Sequence, residues 1–196
     1  LEPEEALVDP LAVVLASPGF LYLSEAEEAG ARRRLLTQRE LAVRLSYFLW
    51  SAPPDEALYQ AAESETLKNS AELRRQVDRM LADSRAEAFY DSFLSQWFEL
   101  HRFDDIAVNP DEYLMFDEQA RYSAREEPIR FFEQLVKENL SLANLIDSDF
   151  AMLDPLLAHF YGIQGLDGQG FRKVSLPPKS PRGGLLGTCL LYTSPS

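Results

Sequence analysis

Cysteine is all but missing from this chain: among 196 residues only Cys189 carries a thiol. No disulfide can close within it, and without Cys189 no zinc-thiolate site, cysteine nucleophile or Cys-x-x-Cys-His haem attachment can be built from it. Histidine is scarce too, with His101 and His159 as the two residues. A helical di-iron site needs inward Glu-x-x-His pairs, and the nearest pattern, Glu99-Leu100-His101, has the wrong spacing. The sequence has no His-Glu-x-x-His, Gly-x-Ser-x-Gly, phosphate loop or dinucleotide fingerprint. Basic charge is also short: 19 Lys and Arg stand against 32 Asp and Glu, a net charge of −13. Phosphate backbones need a basic surface, so nucleic acid is excluded as a partner. The best apolar run, Leu11 to Leu15, falls far short of a membrane span.

Cys189 itself lies in a stretch that reads as foreign. Cys189-Leu190-Leu191-Tyr192-Thr193-Ser194-Pro195-Ser196 back-translates as TGT CTC TTA TAC ACA TCT CCG AGC, the mosaic-end adapter of transposon-based sequencing libraries. The expectation is a read-through from Cys189 onward, with no stable place in the fold. Together with Leu1 in place of an initiator Met, this predicts an internal fragment cut at both ends.

What is present is a helix-forming chain with 46% hydrophobic and 11% aromatic residues, enough to bury a sizeable core. Leu7, Leu11, Val14 and Leu15 share one helical face, ended by Ser17-Pro18-Gly19. Residues 24–36 read as a solvated connector. Thr37-Gln38-Arg39-Glu40 is a capping box that opens a helix with Leu41, Leu45, Phe48 and Leu49 on one stripe. Ser51-Ala52-Pro53-Pro54-Asp55 ends it and starts a short helix with Leu58; another runs from Ser70 with Leu73, Val77, Met80 and Leu81. Ser84-Arg85-Ala86-Glu87 reads as a second capping box, for a helix with Phe89, Tyr90, Phe93, Leu94, Trp97 and Phe98. Its apolar positions cover more than half the circumference, which predicts neighbours on several sides. The longest helix is expected over Asp117 to Asn139, with Tyr122, Ile129, Phe132, Leu135 and Val136 inward and a kink or break at Pro128. Asp154 to Tyr161 is a last short helix, closed by Gly162. Beyond it the glycines and prolines concentrate, and only Phe171 to Leu176 alternates like a strand. The fold expected is all-α: an irregular multi-helix bundle with a short non-helical C-terminal extension.

These motifs, in this order, resemble a bacterial family, the domain of unknown function 1592 of planctomycete-type multidomain proteins. The resemblance is carried by Leu15-Ala16-Ser17-Pro18-Gly19-Phe20-Leu21-Tyr22, Leu41 to Ser51, Pro54-Asp55-Glu56 and Met80 to Ala86. It continues through Phe93 to Leu100, Arg125-Glu126-Glu127 and His159 to Ile163. Arg172 to Leu176 and Arg182-Gly183-Gly184-Leu185-Leu186 are similar to the opening of a following 1588 domain, and Leu1 to about Tyr22 to the end of a preceding 1595 domain. The division implied is 1–23 preceding domain, 24–36 connector, 37–165 helical domain, 166–188 start of the next, and 189–196 adapter. The resemblance implies an exported, extracytoplasmic, multidomain protein associated with a cytochrome-c-like haem domain. That haem lies in a missing domain, with no cofactor in this fragment. The implied partners are neighbouring domains of the same chain, with polysaccharide bound through other domains. No activity comes with the resemblance. Pro128 departs from it, because the family commonly has a helix former after Arg-Glu-Glu.

The residues with chemistry to offer are few. His101, beside Asp104 and Asp105, and His159, within Leu157-Ala158-His159-Phe160-Tyr161, are candidates for acid–base work. A helix C-terminus or a packed apolar run accounts for each more simply. Glu126 and Glu127 point about 100° apart on their helix, so at most one faces the core. A structural ion-pair network of Arg44, Arg85, Arg125, Glu126 and Glu127 is the preferred account, ahead of catalytic carboxylates. Trp50 and Trp97, within apolar stripes, read as core residues; exposed, they would be platforms for sugars. The leading function is a helical structural and interaction domain. The alternative is an oxidoreductase or hydrolase module on extracellular polysaccharide, with Glu126, Glu127, His101 and His159 as the residues to test.

Overall fold

A computed structural model describes residues 5–22, 34–104, 117–178 and 180–188. Two helices come first, α1 (Glu5–Leu15) and α2 (Pro18–Leu21), the second begun by a proline whose missing N–H costs nothing at that position. α3 (Gln38–Trp50) starts at the capping box read from sequence: Thr37 accepts from the Glu40 amide and Glu40 reaches back to the Thr37 amide. α4 (Glu56–Glu63) and α5 (Ser70–Ala82) are capped by Asp55 and Asn69. A 3-10 turn, Ser84–Ala86, leads into α6 (Glu87–Trp97). Here the expected second capping box is corrected. Asp83, not Ser84, supplies the side-chain cap, accepting from the Arg85 amide, and α6 itself has no side-chain cap.

α7 (His101–Asp104) is a single turn, and α8 (Glu118–Lys137) is the long central helix, capped by Asp117. It runs on through Pro128, so the expected break does not occur. Pro128 is among the most deeply buried side chains, and packing around its ring holds the helix together despite the lost backbone bond. A 3-10 turn, Leu142–Leu145, follows, then β1 (Phe150–Leu153), α9 (Pro155–Phe160) and β2 (Arg172–Ser175). The strands form a two-stranded antiparallel sheet, Phe150 opposite Ser175 and Leu153 opposite Arg172. The described residues are therefore mostly helical, in broad agreement with the all-α expectation, with one small two-stranded sheet added. β2 falls where the alternation placed it. β1 is buried at all four positions and has no alternation to betray it.

The core lies where α8 meets α6 and β1, with α3 and α4 closing one side. Ala120, Ser123 and Ala124 give α8 a small-residue face that lets its neighbours approach, while Phe131 stacks on Phe150 with centroids 5.0 Å apart. Tyr90, Leu94, Met80, Leu58, Leu153 and Leu157 fill the space between. Tyr122, expected inward, is exposed, and so are Phe48 and Trp97.

The chain after α9 returns to this body. β2 pairs with β1, Leu185 enters the core, and the Thr188 hydroxyl donates to the Leu185 carbonyl at 2.8 Å. Gly183 and Gly184 press against the backbone carbonyls of Ser148 and Ile146. The turn Arg182-Gly183-Gly184 is thus a close packing of backbone on backbone. The expectation for residues 189–196, and most of the 24–36 connector, lies outside the described residues.

Candidate functional site

α8 carries the densest polar cluster. Both acidic candidates are buried there, Glu127 at 1% and Glu126 at 7% exposure, although adjacent helix positions led to at most one inward carboxylate. They find different partners. Glu127 accepts from the Tyr161 hydroxyl, 2.6 Å from each carboxylate oxygen, which joins α8 to the end of α9. The Arg182 guanidinium lies 4.6 Å above the Tyr161 ring, so the C-terminal turn completes the stack. Glu126 pairs with Arg130 at 3.0 Å; Arg130 also holds Glu133, which accepts from Lys137 at 2.6 Å. Burial pushes the Glu133 carboxyl up, but the hydrogen bonds from Lys137 and Arg130 outweigh it and leave its pKa below the ordinary value. Nearby, Ser123 donates to Asp154, whose other oxygen caps α9 at Leu157.

A second cluster surrounds Trp50, the tryptophan that is buried, at 3% exposure. Its indole N–H donates to the Met80 carbonyl at 2.9 Å. Arg85 stacks 3.5 Å above the ring. That same Arg85 pairs with Asp83 at 2.7 Å, while Arg79 grips Asp55 through two bonds of 2.7 and 3.0 Å. Asp55 caps α4, so three elements meet at one tryptophan. The Arg79 hydrogen bonds hold the Asp55 carboxyl below its ordinary pKa, with help from the Leu58 amide and against the effect of burial. Asp83 is held lower still, first by Arg85.

The residues proposed from sequence are thus spread over several places. Arg85 belongs to the tryptophan cluster and Glu126 to the α8 ladder. Arg125 is half-buried and reaches Ser95 of α6 at 3.5 Å, while Arg44 is exposed on α3. His101 begins α7 with its side chain exposed, and His159 is exposed on α9 rather than packed, its ring 6.5 Å from that of Phe160. Asp105, named as a partner for His101, lies outside the described residues. Among the described residues no group of His, Cys, Asp and Glu is arranged to hold a metal ion.

What sequence reasoning missed is an aromatic groove between α3 and α6, of about 540 Å³. Tyr47 and Phe48 form one wall, Phe93 and Trp97 the other, and Phe89 sits between. Phe48 is 61% exposed and Trp97 53%. This corrects the placing of Trp97 in the core. The signal was available: apolar residues over more than half of α6 imply more contact faces than the chain's own core supplies. A second apolar surface without a packing partner among the described residues is α1–α2 and the residue after it, where Leu7, Leu11, Val14, Phe20 and Tyr22 are all more than half exposed.

Comparison with known protein families matches residues 36–163, well over half of the chain, to the family model PSD4, described as a protein of unknown function (DUF1592). No curated protein and no solved structure matches the chain.

Proposed function

The chain belongs to this PSD4 (DUF1592) family, and on that premise we propose that it is a helical structural and interaction domain of a large exported, haem-associated multidomain protein. The observation that carries the reading is the bare apolar surface of α1 and α2. Leu7, Val8, Leu11, Val13, Val14 and Leu15 are each more than half exposed on a helix of 11 residues. A helix that short is marginal in water and draws its stability from packing. Among the described residues, no apolar side chain of this helix belongs to the core cluster, whose first buried member is Ala42. Its partner is a neighbouring domain of the same protein.

The polar residues support the same reading. Asp55 and Asp154 join separate elements through Arg79 and Ser123, while Glu126 and Glu133 pair along α8 and Asp83 pairs locally with Arg85, so each acidic group has a structural partner. The acidic and imidazole candidates line neither the aromatic groove nor the larger groove between α5 and α8. Export and the haem association rest on the resemblance of the motifs and flanking segments.

The test is a pair of substitutions, Leu11→Glu with Val14→Glu, made in the longer protein and in this chain alone. The reading expects unchanged stability in the chain alone and a lower unfolding midpoint in the longer protein. Equal effects in both would overturn it. So would turnover of a polysaccharide by this chain that is abolished by Glu127→Gln or His159→Ala in folded variants, the result that belongs to an enzyme module.

A further inference from the structure

We propose that the groove between α3 and α6 binds a neutral, extended glycan, with sugar rings stacked on Phe48, Phe93 and Trp97 and hydroxyls bonded to Ser51, Ser92 and Gln96. Four observations converge on this ligand class. First, the rings are open to solvent: Tyr47 is 47%, Phe48 61%, Phe93 38% and Trp97 53% exposed. Aromatic rings left bare on both walls of a groove mark a binding surface more than a core defect.

Second, the rings are spaced as a ladder. Phe89, Phe93 and Trp97 stand at successive turns of α6, with centroids 5.5 Å and then 5.6 Å apart. That step follows from the helical pitch, so the rings form one continuous apolar strip along α6. Phe48 contacts the lower end of the ladder from α3, its centroid 5.1 Å from that of Phe89.

Third, every side chain lining the groove is uncharged, in a protein of net charge −13. Phosphorylated and polyanionic ligands would meet no counter-charge there and a repulsive molecular field. Fourth, the walls are interrupted by hydrogen-bonding groups. Ser51 follows the last residue of α3, and Ser92 and Gln96 are one turn apart on α6, where the Gln96 amide donates to the Ser92 hydroxyl at 2.9 Å. An apolar helix laid in this groove would bury those groups against hydrocarbon, at a cost. A sugar offers apolar C–H faces to the rings and hydroxyls to the serines and the amide at once.

The inference does not depend on α1 docking to a neighbouring domain, and the experiments separate the two. The chain is titrated with cellohexaose, xylohexaose and mannohexaose while tryptophan emission is followed. Trp50 is buried, so a blue shift on binding reports Trp97. Binding of at least one hexasaccharide is expected, with affinity lowered about tenfold by Trp97→Ala, the loss of one stacked ring. Phe48→Ala should act in the same direction, and both variants should keep the native circular dichroism. Failure of all three sugars to bind at millimolar concentration would overturn the proposal. So would binding that Trp97→Ala leaves unchanged, or a longer protein in which a polypeptide segment already shields Trp97 from a soluble quencher.

Discussion

The hydroxyl of Tyr161 lies 2.6 Å from both carboxylate oxygens of Glu127, a residue 34 positions earlier and almost wholly enclosed. This one phenol joins the centre of α8 to the end of α9, and Arg182 on its ring extends the link to the C-terminal turn. A buried carboxylate is costly unless donors surround it. Removing the donor alone, with Tyr161→Phe, should therefore destabilise the protein by about 2 kcal/mol, the range for hydrogen bonds to charged groups. The urea unfolding midpoint measures it; an unchanged midpoint would mean that the bond adds nothing to the fold.

The C-terminal turn is held by backbone contact. A Cβ on Gly184 would sit 2.6 Å from the Ile146 carbonyl oxygen, and its φ of +74° already disfavours any other residue. Gly184→Ala should cost more than about 2 kcal/mol, because strain and clash add. Gly165 has a similar φ of +83° but open space around it. Gly165→Ala should cost only about 1 kcal/mol, the penalty of the left-handed conformation alone. Thermal unfolding of the two variants makes the comparison, and equal shifts would count against a packed turn.

The two tryptophans should behave in opposite ways. Trp50→Phe removes the indole bond to Met80 and shrinks the platform under Arg85, for an expected loss of about 2 kcal/mol. Trp97→Ala, on the exposed wall of the groove, should cost less than about 1 kcal/mol. Denaturant titrations of both variants would expose an error if Trp97 proved the more damaging change.

Stability should fall in acid for a nameable reason. Asp55 has a folded pKa held below its ordinary value, foremost by Arg79, and Glu133 is also held low by Lys137 and Arg130 against its burial. A lowered folded pKa means that the charged form stabilises the fold. That contribution is complete above the unfolded value of about 4 and is lost as the pH falls through the folded value. Between pH 6 and pH 3 the unfolding midpoint should drop, and Arg79→Gln should flatten the drop. Parallel curves for the two proteins would remove Asp55 from the account.

Much of this architecture could be read from local chemistry. Thr37 with Glu40, Asp117 and Asp154 mark helix starts because an unpaired amide needs an acceptor at a fixed offset, and the sequence displays that offset. Where the offset is ambiguous the reading slips: Asp83 and Ser84 are adjacent, and the carboxylate won the cap. β1 was hidden because Phe150-Ala151-Met152-Leu153 is buried on both faces, which erases the two-residue period. Pro128 looked like a breaker because sequence shows the missing N–H and not the packing that encloses the ring. The aromatic groove was the hardest to see. Apolar periodicity identifies which side chains share a face, but only the packed structure shows which faces find no partner among the described residues.

The most direct test of the interaction-domain account is amide hydrogen exchange across α1, in this chain alone and in the longer protein that contains it. The account predicts fast exchange of residues 8–15 in the chain alone, as expected of a short helix that packs on no core element among the described residues, and strong protection when the neighbouring domain is present. Equal exchange in the two proteins would contradict it.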